Sequence, residues 1–257
     1  MDLGLEGRRV IVTGGTKGLG LAIAEELLAE GAIVRICGRD TETLAAALQR
    51  LGPLAAGRAV DVREAEQLST FIEWAAEGMG GLDVLVNNAG GAHPGTFETL
   101  DEDALVADFN IKVLSWFRAT RVALPWLRAS DAARVINIGS VFARMPDFEF
   151  FSTTVNRAAG QNLTKALAQE LAPDGILVNA VNIGCVKTPQ WTNIQAKRAP
   201  EKTSEQFFSD LAGTNIPLGR FGEPNEVSGV VAFLAGNRSS YITGATIDVA
   251  GGMGRYA

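Results

Sequence analysis

A glycine-rich stretch near the amino terminus has the residue types and spacing of a phosphate-binding turn. The stretch Thr13–Gly20 reads TGGTKGLG and follows an apolar run, Arg9 to Thr13. Apolar residues at helical spacing come next, at Leu19, Ile23 and Leu27. Glycines permit a tight turn and bring backbone N–H groups close to a pyrophosphate, whose charge meets the positive end of the following helix. The stretch therefore predicts a dinucleotide site with these contacts: Gly14, Thr16, Lys17, Gly18, Leu19 and Gly20.

The choice of dinucleotide depends on the end of the second apolar run. A site for NAD usually places an acidic side chain there, which holds the ribose 2′-hydroxyl. This chain reads Cys37-Gly38-Arg39, without an acid at the tip. Arg39 and Lys17 could flank a 2′-phosphate with charge-assisted hydrogen bonds. Asp40 is more typical of the N-cap of the next helix. We therefore expect NADP(H) to be preferred over NAD(H).

Short apolar runs alternate with amphipathic segments along the whole chain. Helical spacing recurs, for example, at Leu163, Leu167 and Leu171. The strand-like runs are Arg9 to Thr13, Ile33 to Cys37, Arg58 to Val60, Val84 to Asn87, Val135 to Ile138, Leu177 to Val181 and Thr246 to Val249. This alternation predicts an α/β fold, a Rossmann-type doubly wound parallel sheet in three layers. No linker or change of composition interrupts residues 1–257, which we interpret as a single domain.

Local signals mark several boundaries. Asp40-Thr41 is typical of a helix start, Gly52-Pro53 of a helix end, and Glu223-Pro224 of a helix with proline in its first turn. Residues 188–222 break the alternation with polar residues, three prolines and a basic patch of Lys197, Arg198 and Lys202. A segment of this length predicts a substrate lid or binding loop, with a packed surface insertion as the alternative.

Composition limits the class of protein. The formal net charge of −6 disfavours a nucleic-acid binder, which would present a basic face. No apolar run approaches the length that spans a membrane, and no secretory signal pattern is present, so we expect a cytoplasmic protein. Cys37 and Cys185 lie in apolar runs and are expected to be buried free thiols. No metal site is predicted.

Further motifs follow the glycine-rich stretch in order along the chain. They are Asp61-Val62, Asn87-Asn88-Ala89-Gly90, Asn110, Ser140, Arg220–Pro224 and Tyr241–Gly244. Together these motifs resemble the short-chain dehydrogenase/reductase family over nearly the whole chain. The resemblance implies that Ser140 is the catalytic serine and Asn110 the family's structural and catalytic asparagine. It also implies these cofactor contacts: Asp61, Val62, Asn88, Ala89, Gly90, Ile183, Gly184, Val186 and Thr188.

The chain departs from the family at the Tyr-x-x-x-Lys motif. Thr153 stands at the tyrosine position and Arg157 at the lysine position. The only tyrosines, Tyr241 and Tyr256, belong elsewhere in the sequence. An alcohol does not ionise near neutral pH without a strong base, and arginine is a poor proton relay. Arg157 could still hold the ribose hydroxyls, and a spacing of four on a helix lets both side chains face one pocket.

Three accounts follow from this departure. In the first, the protein transfers hydride, and the proton comes from water, the substrate or a side chain such as Asp147, Glu149 or His93. In the second, the fold serves non-redox chemistry such as elimination, isomerisation or cyclisation. In the third, it is a nucleotide-binding subunit without turnover. The complete set of cofactor motifs favours the first account, an atypical NADP(H)-dependent oxidoreductase acting on a carbonyl or hydroxyl compound.

Aromatic residues suggest the character of the pocket. They are Phe142, Phe148, Phe150, Phe151 and Trp191, and they predict an apolar or ring-bearing substrate. The family resemblance also implies a homodimer or homotetramer packed through helices around Asn110–Leu127 and Thr153–Leu171. An apolar face in the first of these would suit that interface or simple packing on the sheet; it contains Trp116, Leu124, Trp126 and Leu127.

Overall fold

A parallel sheet forms the centre of the molecule, for which a computed structural model describes residues 2–254. Within these residues the sheet has seven strands in the order β3-β2-β1-β4-β5-β6-β7. The strands are β1 Arg9–Thr13, β2 Ile33–Gly38, β3 Ala55–Ala59, β4 Val84–Asn87, β5 Arg134–Ser140, β6 Leu177–Ile183 and β7 Thr246–Val249. The order reverses between β1 and β4, which is where a doubly wound sheet opens a crevice for ligands. The predicted fold class is confirmed.

Helices cover both faces of the sheet. They are α1 Gly18–Ala29, α2 Thr41–Leu51, α3 Ala65–Met79, α4 Glu102–Phe109, α5 Ser115–Arg128, α6 Phe151–Leu171, α7 Pro189–Arg198, α8 Ser204–Asn215 and α9 Pro224–Ala235. One apolar cluster packs α1, α2 and α9 against the sheet, and a second packs α3, α5 and α6 against the other face. A strand buried on both faces has no need of alternating polarity, and β4 is buried throughout.

The predicted strand at Arg58 to Val60 lies in the right place but with the wrong bounds. The observed β3 is the alanine-rich segment Ala55–Ala59, which pairs only with β2 at one edge of the sheet. Val60 follows the strand, although its N–H still donates to the Gly38 carbonyl. The prediction relied on apolar character, which an edge strand of small, partly exposed residues does not show.

The predicted helix boundaries are confirmed. Asp40 caps α2 by accepting a hydrogen bond of 2.7 Å from the Thr43 N–H, and Gly52 ends that helix at a φ of 79°. Glu223 is the N-cap of α9, with proline in the first turn. Both cysteines are buried free thiols, as expected, and burial raises the pKa of each to about 12.

The segment predicted as a lid contains helices α7 and α8. A reciprocal capping box of Thr203 and Gln206 starts α8. Inside the segment, Phe221 packs on Trp191 and Phe208, with ring centroids 5.2 and 4.7 Å apart. The segment contacts the rest of the chain through Trp191, whose ring centroid lies 6.5 Å from that of Phe150. Its action as a lid stays a prediction. In the part of the chain that the structure describes, no helix has the length and apolar character to cross a membrane.

Candidate active site

A pocket of about 520 Å³ opens at the carboxyl ends of the central strands. The turn after β1 forms one side, and residues following β2, β4, β5 and β6 form the others. All the residues that the sequence predicted for the cofactor lie in its wall, together with Ser140, Thr153 and Arg157, whereas Asn110 does not. The crevice is long enough along the sheet edge to join the glycine-rich turn to Ser140.

The glycine-rich turn is shaped for close approach of a ligand to the backbone. Gly14 has a φ of 66°, a conformation that favours glycine. A Cβ at Gly20 would lie 2.1 Å from the Gly14 carbonyl oxygen and 2.4 Å from Asn88 Nδ2. Lys17 is the N-cap of α1, but its side chain makes no capping hydrogen bond. The first N–H groups of α1 therefore have no side-chain cap, as an anion-binding helix start requires.

The segment after β4 holds this turn in place. Asn88 Nδ2 donates to the carbonyl oxygens of Thr13 and Gly14, at 2.9 and 3.1 Å. The backbone N–H groups of Asn88 and Ala89 both donate to Thr13 Oγ1, at 3.0 and 3.1 Å. These four hydrogen bonds tie two neighbouring strand ends together. The asparagine motif therefore fixes the shape of the glycine-rich turn.

The end of the pocket near β2 carries unpaired positive charge. Lys17 and Arg39 lie in the pocket wall, and within residues 2–254 neither side chain has a hydrogen-bond or ion-pair partner. The acids nearby, Asp40 and Asp61, take their hydrogen bonds from other groups, although Lys17 and Arg39 also attract them electrostatically. Hydrogen bonds from Thr43 hold the pKa of Asp40 below its usual value, and Arg63, 2.6 Å away, does the same for Asp61. This end of the pocket therefore suits an anionic group.

Thr153 and Arg157 reach the pocket from the first turns of α6, as the spacing of four predicted. Both are buried, and both line the pocket together with Ser140 at the end of β5. Arg157 Nη1 donates to the Ile138 carbonyl at 2.6 Å, and the guanidinium lies 5.6 Å from the ring centroid of Trp116. Burial lowers the pKa of Arg157 to about 10. Its buried Nε has no hydrogen-bond partner in the described chain.

Lys112 is a site residue that the sequence analysis missed. It is 0% exposed, and its Nζ donates to Thr153 Oγ1 at 2.9 Å and contacts Asp108 Oδ1 at 2.6 Å. Asp108 also accepts hydrogen bonds from Ser152 Oγ, at 2.6 Å, and Asn156 Nδ2, at 3.0 Å. Burial and the nearby Arg157 lower the pKa of Lys112 to about 8. A buried charged network therefore ends on the hydroxyl of Thr153.

Asn110 does not reach this network. Its Oδ1 accepts a hydrogen bond of 3.1 Å from Arg118 Nη1, away from the pocket wall. A π-helical turn, Asn110–Leu114, begins at this residue and joins α4 to α5. The turn places Lys112, two residues later, toward Thr153. The spacing of four between Asp108 and Lys112 was visible as a potential ion pair, but it gave no sign that the pair is buried.

The side chains considered as replacement proton donors lie outside the pocket wall. The His93 side chain is exposed, and only its backbone N–H meets the site, where it donates to Thr153 Oγ1 at 3.0 Å. Glu149 forms an ion pair of 3.2 Å with Arg198. Asp147 accepts a hydrogen bond from the Glu149 N–H within its own loop. We therefore do not assign the proton to any of them.

Part of the predicted aromatic wall is present. Phe142, Phe150 and Trp191 line the pocket; the first two stack with ring centroids 5.4 Å apart, and Trp191 is 6.5 Å from Phe150. The other two predicted residues are not in the wall. Phe148 is 76% exposed, and Phe151 packs against Phe97 with ring centroids 5.6 Å apart.

Comparisons with known proteins agree with this geometry. The model of the family described as Enoyl-(Acyl carrier protein) reductase matches residues 14–254. A putative ketoacyl reductase of the monensin polyketide synthase from Streptomyces virginiae is 34% identical over 97% of this chain and 98% of that protein.

Solved structures are similar over the full chain. An apo short-chain oxidoreductase from Pseudomonas aeruginosa PAO1, described as containing an atypical catalytic center, is 36% identical with a TM-score of 0.92, and all of both chains is covered. Its NADPH-bound form has a TM-score of 0.90 over 98% of this chain and 100% of that chain. L-Sorbose reductase from Gluconobacter frateurii, complexed with NADPH and L-sorbose, is 30% identical with a TM-score of 0.96 and full coverage of both chains.

Proposed function

The chain belongs to the short-chain dehydrogenase/reductase family of NAD(P)-dependent oxidoreductases, and we propose that it is an NADP(H)-dependent reductase of carbonyl compounds with an atypical proton-transfer site. The observation that carries this proposal is one continuous pocket. It joins the glycine-rich turn and two unpaired cations, Lys17 and Arg39, to Ser140, Thr153 and Arg157.

The residues present fit a phosphorylated dinucleotide. Gly14, Gly18 and Gly20 line the pocket without side chains, and the first N–H groups of α1 have no side-chain cap, so a pyrophosphate could approach the backbone there. Lys17 and Arg39 would hold the 2′-phosphate. The buried Arg157 lines the pocket, its Nε is without a partner, and its guanidinium would hold the nicotinamide ribose. The remaining predicted contacts line the same pocket, including Asp61, Val62, Gly90, Ile183, Gly184, Val186 and Thr188.

The side chains at the reacting end have separate tasks. Bound NADPH supplies a hydride. Ser140 and Thr153 would hold the substrate oxygen by hydrogen bonds, and the positive charge of Arg157 would stabilise negative charge that develops on that oxygen. Because all three groups are fixed by strand β5 and helix α6, they need little rearrangement when charge develops.

The walls indicate the class of substrate. Phe142, Phe150 and Trp191 favour a carbonyl compound with an apolar or ring-bearing portion. The relatives include a putative ketoacyl reductase and a reductase crystallised with L-sorbose. A β-keto thioester is therefore a rational first probe, and a ketose is a polar alternative.

Two other functions were compatible with the sequence: non-redox chemistry on the same fold, and nucleotide binding without turnover. No observation in the site favours either. The intact glycine turn would have no task in a cofactor-free reaction, and its place in one pocket with Ser140, Thr153 and Arg157 is the arrangement that hydride transfer to a carbonyl needs.

A cofactor titration followed by a turnover assay tests the proposal. Energy transfer from tryptophan should show micromolar binding of NADPH and weaker binding of NADH. NADPH oxidation is then followed with S-acetoacetyl-N-acetylcysteamine, several aryl ketones and L-sorbose. Absence of binding would overturn the cofactor assignment. Binding without oxidation by any carbonyl probe would overturn the reductase proposal and favour a non-catalytic role.

A further inference from the structure

Lys112 is a buried cation that has no role in the proposed function. It lies in the π-helical turn between α4 and α5 and is 0% exposed. A buried ammonium is costly unless it is paired, and truncating one partner of such a pair is strongly destabilising. Asp108 supplies the pairing at 2.6 Å, and the other contact of Nζ is Thr153 Oγ1 at 2.9 Å. Lys112 does not line the pocket itself, so it meets the site only through that hydroxyl.

The hydrogen bonds of Thr153 fix the direction of its hydroxyl proton. A hydroxyl oxygen has two acceptor lone pairs and one donor. Lys112 Nζ and the backbone N–H of His93 fill the two acceptor positions, at 2.9 and 3.0 Å. Among the residues described, no group accepts the Thr153 hydroxyl proton. Because Thr153 lines the pocket, that proton is available to a substrate oxygen.

We propose that Lys112 and Thr153 form a proton relay, in which Lys112 supplies the proton of the reaction through the Thr153 hydroxyl. This inference rests on the proposed reductase function. The substrate carbon accepts the hydride, and its oxygen takes the proton of Thr153 Oγ1. Thr153 takes a proton from Lys112 Nζ in the same step. Lys112 is left as a neutral amine and regains its proton from solvent when the product has left. Oxidation of an alcohol runs the same transfers in reverse.

The charges around Lys112 suit this task. Asp108 faces it from α4 and Arg157 from α6, and the other polar groups of the network are Ser152, Thr153 and Asn156. Burial and Arg157 lower the lysine pKa to about 8, while Asp108 opposes the shift. A group with a pKa near the working pH gives up and regains a proton readily. A threonine hydroxyl alone cannot give up a proton near neutral pH, and the guanidinium of Arg157 holds its proton too firmly.

Asp108 is a positioning residue in this arrangement. Its own pKa is raised by burial, but Lys112 and the hydrogen bonds of Ser152 and Asn156 outweigh burial and keep the carboxyl below its ordinary value. The carboxylate therefore stays charged and holds the ammonium against Thr153. Removal of that charge would lower the pKa of Lys112 further, since the attraction of Asp108 raises it.

The pH dependence of ketone reduction tests the relay. Reduction requires protonated Lys112, so kcat for the β-keto thioester probe should fall as pH rises through about 8. Lys112→Arg keeps the charge but cannot release its proton. We expect it to lower kcat by about 10²–10⁴-fold. It should also remove the fall of kcat at high pH, which is the descending limb of the pH profile. Asp108→Asn should move the limb to lower pH.

A matched control and a binding assay separate the relay from simple structural support. Lys165→Arg changes an exposed lysine of α6 outside the pocket, and it should leave both rate and limb unchanged. NADPH affinity should stay within twofold in Lys112→Arg, because Lys112 does not line the pocket. If Lys112→Arg retains the wild-type rate, or retains the limb, the relay is wrong and the reductase function stands.

An NMR titration of Lys112 tests the relay even if the protein reduces none of the carbonyl probes. In protein labelled with [ε-¹³C]lysine, one NMR signal should titrate near pH 8 and be absent from Lys112→Arg. Arg157→Met should raise that midpoint, because the like charge of Arg157 lowers it. If wild-type protein reduces no carbonyl probe, the proposed function fails. A Lys112 signal that titrates at the ordinary lysine value of 10.5 would overturn the relay independently.

Discussion

At the scale of single residues, the hydroxyl of Thr153 is the group on which the proposed chemistry depends. Thr153→Val keeps the shape but removes the group that links Lys112 to the substrate. We expect kcat for reduction of the β-keto thioester to fall by about 10²–10⁴-fold, the usual contribution of a positioned acid. Thr153→Ser restores a hydroxyl and should recover most of the rate. A Thr153→Val variant with normal kcat would place the proton source elsewhere.

Arg39 is the residue that we expect to select the cofactor. It lies in the pocket wall without a partner among the residues described, beside the equally unpaired Lys17. Arg39→Ala removes a charge-assisted hydrogen bond of about 1.5–3 kcal/mol, which corresponds to roughly ten- to a hundredfold in NADPH affinity. NADH binding should change by less than twofold, as measured by tryptophan energy transfer.

Arg50 provides a control for Arg39→Ala. Arg50 is an exposed arginine of α2 that pairs with Glu25 outside the pocket. Arg50→Ala should leave both affinities unchanged. Equal losses of NADPH and NADH affinity in Arg39→Ala would show that Arg39 supports the fold of the pocket and does not read the 2′-phosphate.

At the scale of secondary-structure elements, the start of α1 combines a packing constraint with a binding task. A methyl group at Gly20 would lie 2.1 Å from the Gly14 carbonyl oxygen and 2.4 Å from Asn88 Nδ2. Gly20→Ala must displace backbone, so we expect lower thermal stability and at least tenfold weaker NADPH binding. Differential scanning fluorimetry with and without NADPH measures both effects.

Gly229 provides the matched helical control. It lies inside α9, and a Cβ there would meet no atom within 4 Å. Gly229→Ala should stabilise the protein by up to about 1 kcal/mol, because alanine is the better helix former, and should leave NADPH binding unchanged. If both glycine variants behave alike, the close approach at Gly20 has no functional importance.

The π-helical turn between α4 and α5 decides which side chain faces the site. One extra residue in a helical turn rotates the side chains that follow, and such turns are frequent at functional sites. Here Asn110 bonds to Arg118 while Lys112 is directed inward to Thr153. The family resemblance implied a role for Asn110, whereas this turn directs Lys112 to the site instead.

At the scale of the whole molecule, assembly through α5 and α6 is an expectation carried by the family resemblance. Two of the apolar residues considered for an interface, Trp116 and Leu127, are buried within the chain itself. Exposed apolar side chains remain on the same helices, at Phe117 and Val155, which are 39% and 44% exposed. We expect a dimer or tetramer by light scattering, and Val155→Asp should shift it toward monomer.

An exposed leucine outside these helices serves as the control for assembly. Leu54, which precedes β3, is 51% exposed. Leu54→Asp introduces the same charge and should leave the molar mass unchanged. A monomeric wild-type protein would refute the expected assembly, and a loss of assembly in both variants would point to a general effect of charge.

Several features of this protein can be predicted from short stretches of its sequence. The glycine turn, the caps at Asp40 and Glu223, the order of strands and helices, and the threonine and arginine on one face of α6 all follow from local spacing. Such features depend on turn geometry, capping and helical periodicity, which act between residues a few positions apart. The bounds of β3 were the weakest of these predictions, because an edge strand of alanine and glycine carries little apolar signal.

The contact between the reacting groups, by contrast, arises from long-range packing. Lys112 and Thr153 are 41 residues apart in sequence, yet their polar atoms are 2.9 Å apart. A lysine is normally exposed, and nothing in its local pattern shows that a π-helical turn buries it against α6. Likewise, packing placed Phe150 in the pocket and left Phe148 in solvent, although they are two residues apart. These outcomes depend on contacts between distant segments, which local spacing does not encode.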